Sequence, residues 1–251
     1  MKVSIITICY NNEKDIQPTI KSVVNQTYQN IEYIIVDGAS KDKTLEIVKS
    51  FGNKITKVIS EPDKGLYDAI NKGLALATGD IVGLIHAGDM LHDNKVIEDI
   101  VKNFQTNDID ISYGNSKIVE DDKVKRVNIS PSYSLFHVKT GWMPSHQSIY
   151  VKRELIDKLG GYRLDLHPDS DYEWYIRYFT NKKLKIKKLN RFVIKFSLGG
   201  VSSASYTKRL KSEYKDRVFK SWILNGFHPP KGIFYTKLLR KIPQFILAKF
   251  Y

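Results

Sequence analysis

Disulfides, membrane spans and a secretion signal are all missing from this 251-residue sequence. Its one cysteine, Cys9, excludes an internal disulfide, which fits a reducing compartment. No apolar run is long enough to cross a bilayer, and the first residues turn polar too early for a signal peptide. With 42% hydrophobic residues, the sequence predicts a cytoplasmic globular protein with one sizeable core.

Two common nucleotide-binding motifs are missing as well. The loop after the first apolar run reads CYNNEKD, without the Gly-x-Gly-x-x-Gly pattern of dinucleotide-binding folds. The Gly-Lys-Ser/Thr phosphate loop occurs nowhere in the sequence. A nucleotide site in this chain must therefore use a different arrangement of residues.

Negative charge is scarce, because 27 Asp and Glu stand against 40 Lys and Arg, for a net charge of +13. The excess is concentrated at residues 181–195 and from Tyr206 onward, which indicates an anionic partner. The basic and aromatic residues after Asn181 would suit nucleic acid, so a nucleic-acid-binding protein is one alternative. We expect no nucleic acid, because acids at the ends of the predicted strands would repel a phosphate backbone and no recognition motif is present.

Strand-like and helix-like segments alternate over the first hundred residues. This alternation predicts an α/β fold with a mainly parallel sheet flanked by helices. The predicted strands cover residues 2–10, 31–40, 55–60 and 80–89, followed by an extended segment at 108–114. The predicted helices cover residues 14–25, 42–51, 65–79 and 95–104.

Polar residues follow all four predicted strands, at residues 7–11, 37–40, 60–65 and 86–89. The carboxyl ends of parallel strands meet at one edge of a sheet, where open α/β folds bind their ligands. A single Gly-Asp turn is typical of a solvated loop. Four polar turns at one edge instead predict a nucleotide crevice, with carboxylates for the base or ribose, backbone N–H groups for phosphate and an acid for a divalent cation.

The order of several motifs resembles that of the family 2 glycosyltransferases, which transfer a sugar from a nucleotide donor. The matching stretches, which cover roughly Met1 to Trp174, are VSIITICYNN, QTYQNIEYIIVDGASKDKT, SEPDKGLYDAINKGLALATGD, LIHAGD, HQSIYVKRELIDKLGGY and DSDYEW. The resemblance implies the GT-A fold, a Rossmann-like sheet flanked by helices. It also implies an inverting transfer from a nucleotide-diphosphate sugar, with a UDP-sugar favoured, to a hydroxyl of a glycan or lipid-linked acceptor in bacterial surface polysaccharide synthesis.

The resemblance also divides the chain. We expect a glycosyltransferase domain over residues 1–205, with a nucleotide-sugar-binding half at 1–110 and an acceptor half at 111–205. A basic, amphipathic helical extension is expected over residues 206–251. Within the first half, the donor-binding residues implied by the resemblance are Thr7, Tyr10, Asp37, Asp63, Lys64 and Asp68. Carboxylates can accept N–H or hydroxyl groups of a nucleoside, and an aromatic ring can cover its base.

Asp89 takes the last place of an Asp-x-Asp-like motif in the resemblance, whose carboxylate coordinates Mn²⁺ or Mg²⁺ bridging the two phosphates of the donor. Gly88 and His86 stand where relatives often have further acids. One protein carboxylate beside diphosphate oxygens suits Mg²⁺, which often accepts only one or two carboxylates alongside phosphates. We expect His86 to be a structural histidine rather than a metal ligand.

Sugar transfer also needs a base that removes the proton of the attacking hydroxyl. The resemblance places Asp171, in the stretch SDYEW, in this role, and Asp169 is the second candidate. Either residue could instead cap the helix that follows. The acceptor-binding residues implied by the resemblance are Trp142, His146 and Gln147, with a packed Trp and a core His as the alternative. Residues 199–203 (GGVSS) are expected to form a loop over the site.

The C-terminal residues mix Lys and Arg with Leu, Ile and Phe, a composition that suits an anionic membrane surface. We therefore expect a cytoplasmic protein that binds peripherally to the inner face of the membrane. Packing of this segment on its own domain or in a homodimer is the alternative. A metal-dependent nucleotidyltransferase is the nearest other enzyme class, but a Gly-rich, basic phosphate loop is expected near its N-terminus.

Overall fold

The computed structural model describes residues 1–120, 123–197 and 212–251, whose strands form one mixed sheet. The strands are β1 (Val3–Cys9), β2 (Ile31–Asp37), β3 (Lys57–Ser60), β4 (Ile81–Leu84), β5 (Met90–Leu91), β6 (Ile111–Glu120), β7 (Lys123–Asn128), β8 (Ile149–Lys152) and β9 (Ile186–Ser197). Their order across the sheet is β3-β2-β1-β4-β8-β6-β9-β5, and β7 pairs with β6.

The first four strands of the chain run parallel. β1 lies between β2 and β4, and β3 pairs with the outer side of β2. All seven residues of β1 are buried, as expected for a strand covered on both faces. The predicted α/β fold is confirmed, and the ends of these four strands do meet at one edge.

The second half of the sheet differs from the mainly parallel arrangement that we predicted. β8 is antiparallel to both β4 and β6, whereas β6 and β9 are parallel. The physical reason is that the alternation of strand and helix, which imposes parallel crossovers, ends after the fourth helix. Because β8 runs against β4, the residues just before β8 lie at the edge where β4 ends.

Helices cover both faces of the sheet. They are α1 (Ile16–Val24), α2 (Thr44–Ser50), α3 (Leu66–Leu76), α4 (Val96–Asn107), α5 (Leu135–Lys139), α6 (Arg153–Leu159), α7 (Ser170–Phe179), α8 (Ser212–Leu224), α9 (Ile233–Leu239) and α10 (Ile242–Leu247). One core joins the sheet to α3, α7 and α8, and the other joins it to α1 and α4. The two cores hold the sheet rigid, so its edge is a fixed platform for side chains.

The C-terminal helices pack on the rest of the chain. The guanidinium Nε of Arg240 donates to the carbonyl of Thr140 over 2.9 Å, and Lys237 Nζ lies 3.5 Å from the centre of the Tyr172 ring. α10 packs along β7. Large apolar side chains nevertheless stay exposed in this segment, namely those of Leu239, Ile242, Phe245, Ile246 and Phe250. Among the described residues, no helix has the length and apolarity needed to cross a bilayer.

Candidate active site

Three separate segments converge on Asp89, just beyond β4. Its backbone N–H closes a turn onto the carbonyl of His86 over 3.0 Å, and this turn needs Gly88 at φ +95°. The Asp89 carboxylate accepts a hydrogen bond from Gln147 Nε2 at 2.8 Å and from the backbone N–H of Ser197 at 3.3 Å. The end of β4, the turn before β8 and the end of β9 therefore meet at one carboxylate.

Within the described residues, the Asp89 carboxylate has two hydrogen-bond donors and no ion pair. Burial raises the pKa of its carboxyl to about 7, and the hydrogen bonds from Gln147 and Ser197 offset only part of that rise. Both of these donors are uncharged. A carboxylate in this state would be stabilised by a cation brought into the crevice.

Asp171 stands at the start of α7. Its Oδ1 accepts from the backbone N–H of Tyr172 at 2.9 Å and lies 3.3 Å from the Tyr67 hydroxyl, which donates its shorter bond, 2.8 Å, to the Pro168 carbonyl. Its Oδ2 lies 3.9 Å from Nδ1 of His146. The other three acids of this stretch each hold a cation, in the pairs Asp165–Arg163, Asp169–Arg217 and Glu173–Arg177. Among the described residues, Asp171 is therefore the one of these four acids that has no arginine partner.

A pair of histidines joins the two carboxylate regions. Nε2 of His86 and Nε2 of His146 are 2.7 Å apart, so one proton lies between them. Burial lowers the pKa of His86 well below its usual value, and His146 adds to this effect. Burial also lowers the pKa of His146, although Asp171 acts in the opposite direction. Both rings are therefore neutral at neutral pH.

The donor side of the edge brings together Tyr10, Gly38 and Asp63. A Cβ atom on Gly38 would lie 2.5 Å from Asp63 Oδ2 and 3.3 Å from the Tyr10 ring, so the missing side chain leaves room for both. The Tyr10 side chain is 57% exposed and can cover a ligand. Close by, the backbone N–H of Lys64 donates to Asp68 Oδ2 over 2.9 Å, which fixes the loop before α3.

Two predicted donor residues lie below the surface. Thr7 is fully buried, and its hydroxyl lies 3.0 Å from that of Tyr33. Asp37 is also fully buried, and its carboxylate accepts from the backbone N–H and hydroxyl of Ser40 and from the hydroxyl of Ser60. In the structure these side chains have internal partners that hold the loops after β1 and β2, and their part in donor binding stays a prediction.

The three predicted acceptor residues have different surroundings in the structure. Trp142 is only 5% exposed, and its ring packs against Tyr113 and Tyr175 in the core, so it offers no open platform to a sugar. Gln147 is buried too, but its amide points at Asp89. His146 is partly exposed, and it is the one of the three that lies beside Asp171, the predicted base.

Sequence reasoning missed the contact between His86 and His146, and it missed the roles of Tyr67 and Ser197. A local pattern carries no signal for these contacts, because each depends on which strands become neighbours. The order β4-β8 would have been the signal, since it places the end of one strand beside the start of the other. The predicted loop at residues 199–203 lies outside the described residues.

Comparison with solved structures gives the class of the protein. The structure of Staphylococcus aureus TarS, residues 1–349, in complex with UDP-GlcNAc matches with a TM-score of 0.68 at 20% identity, over 99% of this chain and 79% of that one. The mannosyltransferase PcManGT from Pyrobaculum calidifontis, in complex with GDP-Man and Mn²⁺, matches with a TM-score of 0.64 at 18% identity, over 98% and 73%. These likenesses show that the fold is that of the GT-A glycosyltransferases.

Sequence comparison gives the family. The profile described as glycosyl transferase family 2 matches residues 4–197, so the chain belongs to that family and is a transferase. An uncharacterised glycosyltransferase of Mycobacterium tuberculosis is 33% identical over 180 residues, which are 70% of this chain and 68% of the relative. A PGL/p-HBAD biosynthesis glycosyltransferase of Mycobacterium bovis is 26% identical over 212 residues, or 82% and 80%. The predicted resemblance is confirmed, and the nucleotidyltransferase and nucleic-acid-binding alternatives are set aside.

Proposed function

We propose that this glycosyltransferase moves a sugar, with inversion, from a nucleoside diphosphate donor to a hydroxyl of a glycan or lipid-linked acceptor. One observation carries the proposal: the neighbouring residues His146 and Gln147 lie between two carboxylates, with Gln147 donating to Asp89 and His146 lying 3.9 Å from Asp171. A buried carboxylate with few internal partners, as Asp89 is among the described residues, is typical of a group that binds a cation. Asp89 would then bind the leaving group through a cation, and Asp171 would activate the nucleophile.

The donor's base and ribose fit the region around Tyr10, Asp63, Lys64 and Asp68. The exposed ring of Tyr10 can cover a base, and Asp63 Oδ2 can accept an N–H group, since the loop's own hydrogen bond from the Gly65 backbone uses Oδ1. Thr7 and Asp37 would act by shaping these loops. We favour a UDP-sugar, as in the TarS complex with UDP-GlcNAc, although the PcManGT complex contains GDP-Man.

Mn²⁺ or Mg²⁺ is the cofactor that we propose, with Asp89 as its protein ligand. Within the described parts of the chain, no three His, Cys, Asp or Glu side chains form a group able to hold a metal. The residues present fit an ion held by one carboxylate, with diphosphate oxygens and water in the other positions, as Mg²⁺ often accepts. When bound, such an ion neutralises the charge that grows on the departing nucleoside diphosphate.

Asp171 is the proposed base. It would take the proton of the acceptor hydroxyl while the new glycosidic bond forms and the bond to the nucleoside diphosphate breaks, in one displacement. Asp169, the second candidate, is occupied by an ion pair with Arg217, which supports Asp171. His146 and Gln147 flank the same region, so the acceptor would enter beside them.

The acceptor is proposed to lie at a membrane surface, as a lipid-linked glycan of bacterial surface polysaccharide synthesis would. The exposed apolar residues of the C-terminal helices, interspersed with Lys and Arg, support peripheral binding to the inner face of the cytoplasmic membrane. The apolar side chains would enter the interface while the basic ones meet anionic lipid. A homodimer through the same surface is the competing interpretation, and it predicts a concentration-dependent mass.

Screening nucleotide sugars for thermal stabilisation in the presence of Mn²⁺ tests the donor assignment, because a ligand of the folded state raises the melting temperature. A UDP-sugar should give the largest shift, and the shift should shrink when the metal is chelated. Turnover with that donor should release nucleoside diphosphate. Release of pyrophosphate, or stabilisation by no nucleotide sugar at all, would contradict the proposed reaction.

A further inference from the structure

We infer that His146 is a positioning residue that holds the carboxylate of Asp171, and that His86 fixes the tautomer in which His146 does so. The inference rests on the proposed role of Asp171 as the base. It gives the two histidines a shared task that neither their sequence motifs nor the comparisons assign. His146 would then act on the base rather than on the sugar.

The elements on each side fix where the two rings meet. His86 lies two residues beyond the end of β4, and His146 begins the short turn before the antiparallel strand β8. That turn is closed by the Ser148 N–H donating to the Ser145 carbonyl over 2.8 Å, and the Ser145 hydroxyl lies 2.8 Å from that of Ser116 on β6. The ring centres of the histidines are 5.0 Å apart. Backbone pairing therefore sets the contact, and little side-chain freedom remains.

Hydrogen-bond accounting selects one arrangement of protons. An ionised carboxylate only accepts, so the ring nitrogen that faces Asp171, Nδ1 of His146, must carry the hydrogen. A neutral imidazole has a single N–H, which leaves a lone pair on Nε2 of His146. That lone pair accepts the Nε2–H of His86 across 2.7 Å.

The far side of His86 agrees with this arrangement. Its Nδ1 is buried and has no hydrogen-bond partner among the described residues. In the proposed tautomer this nitrogen is a bare acceptor. The opposite tautomer would bury an N–H donor without a partner and would aim a lone pair of His146 at the Asp171 carboxylate, and orphaned buried N–H groups are rare.

A fixed orientation of the Asp171 carboxylate is useful because the base must present a lone pair in one direction. Oδ1 of Asp171 lies against the Tyr172 backbone and the Tyr67 hydroxyl, whereas Oδ2 faces His146, which is placed to restrain it. Each carboxylate oxygen has two lone pairs, so Oδ2 can accept from His146 and still take a proton. The present 3.9 Å separation is longer than a hydrogen bond. Catalytic hydrogen bonds are often long in the free enzyme and tighten with substrate.

Two substitutions of one residue separate the two ring nitrogens. The amide of His146→Asn places an N–H near the position of Nδ1, whereas that of His146→Gln places it near Nε2. We expect His146→Gln to lower kcat on the order of 10²-fold, the typical effect of misplacing a reacting group, with little change in donor KM. His146→Asn should recover most of the lost rate. In an Asp171→Asn background, neither substitution should lower the rate further, because the two residues act as one unit.

Several results would overturn the inference. Wild-type kcat in His146→Gln, equal loss in the Asn and Gln variants, or losses that multiply with Asp171→Asn would each do so, and multiplying losses with a raised acceptor KM would indicate direct acceptor binding. If Asp171→Asn itself kept wild-type kcat, the base assignment would fail along with this inference. A dead Asp171→Asn beside a fully active His146→Gln would overturn the inference alone.

The tautomers can also be read without any variant, which covers the case in which a substitution prevents folding. Nitrogen-15 NMR of the histidine rings in the wild-type protein should show the hydrogen on Nδ1 of His146 and on Nε2 of His86. The reverse assignment would contradict the proposed arrangement directly.

Discussion

Glu32 and Asp89 are carboxylates of the same sheet, one at each end of its parallel strands. Glu32, at the start of β2, accepts hydrogen bonds from the Ser4 hydroxyl at 2.6 Å, from the Thr78 N–H and hydroxyl at 2.7 Å each, and from the Lys2 ammonium at 3.1 Å. Within the described parts of the chain, Asp89 accepts hydrogen bonds from Gln147 and Ser197 alone. Glu32 therefore has charged and uncharged internal partners, whereas the described partners of Asp89 are two uncharged donors.

The pKa values of the two groups show what this difference means. Burial raises the pKa of Glu32, but its hydrogen bonds outweigh burial and bring the pKa down to about 2. Burial also raises the pKa of Asp89, and there the hydrogen bonds are too few, so the pKa stays at about 7. A buried carboxylate that has many hydrogen bonds from the protein stabilises the fold, whereas one that has few is available to a ligand.

The largest expected effect is at Asp171, the proposed base. Asp171→Asn should lower kcat by a factor on the order of 10² to 10⁴, the usual contribution of a positioned general base, while donor affinity is retained. Steady-state kinetics and donor titration check this. Asp165→Asn, which breaks an exposed ion pair with Arg163, is the matched control and should stay active. If Asp169→Asn were the inactive variant instead, the base would be two residues earlier.

Asp89→Asn is expected to have the next largest effect. It removes the charge that would hold the cation, so kcat/KM should fall on the order of 10²-fold, and donor affinity should lose its dependence on Mn²⁺. Calorimetric titration of nucleotide at several Mn²⁺ concentrations gives the readout. A variant that matched the wild type at every concentration would reduce Asp89 to a turn residue.

Glu32→Gln tests the comparison between Glu32 and Asp89 at the amino edge of the sheet. It should lower the free energy of unfolding by about 1–3 kcal/mol, because buried donors lose a charged acceptor. The kcat of the folded protein should not change, since Glu32 lies at the edge away from the crevice. Denaturant unfolding and kinetics on the same preparation test both parts, and a loss of kcat without a loss of stability would contradict them.

The loss of stability in Glu32→Gln should depend on pH, because the pKa of Glu32 is lowered in the folded protein. The pKa of Glu32 is about 2 in the folded protein, below the usual 4.5, so its stabilising effect is present above pH 4.5 and is lost as the pH falls towards 2. The difference in unfolding free energy between the wild type and Glu32→Gln should therefore shrink from pH 7 to pH 3. A constant difference would mean that hydrogen bonding to the charged form is not the cause.

The smallest expected effect concerns the exposed apolar side chains of the C-terminal helices. Replacing Ile242, Ile246 and Phe250 together by Ser should weaken binding to anionic vesicles on the order of 10-fold and leave transfer to a soluble acceptor unchanged. Vesicle sedimentation measures this, with Leu164→Ser as an exposed control elsewhere. Unchanged sedimentation together with a lower oligomer mass would assign the surface to a dimer.

The sequence predicted the first half of the fold well, because β1 to β4 and α1 to α4 have strong local periodicity. It also predicted that the polar ends of these strands meet at one edge, since parallel strands end on the same side of a sheet. It did not predict the partners across that edge. His86–His146 and Ser197–Asp89 arise from the antiparallel pairing of β8 with β4 and of β5 with β9, and long-range pairing leaves no local pattern.

The sequence also did not predict which acids at the strand ends would be buried. Asp37 and Asp63 are both acids near strand ends, yet Asp37 is sealed by Ser40 and Ser60, whereas one oxygen of Asp63 lies beside the gap left by Gly38. Residue type alone does not distinguish these cases. The number of internal partners does, as it does for Glu32 and Asp89.

Titration of the Asp89 carboxyl by carbon-13 NMR tests the central claim most directly, namely that this acid is left incomplete for a cation and a nucleoside diphosphate. The metal-free protein should show an Asp89 pKa near the value of about 7 that its surroundings impose. Adding Mg²⁺ with UDP should move that pKa well below this value, whereas Mg²⁺ with uridine, which lacks the phosphates, should move it less. An ordinary pKa of about 3.9 in the metal-free protein, or a pKa that Mg²⁺ and UDP leave unchanged, would contradict the account.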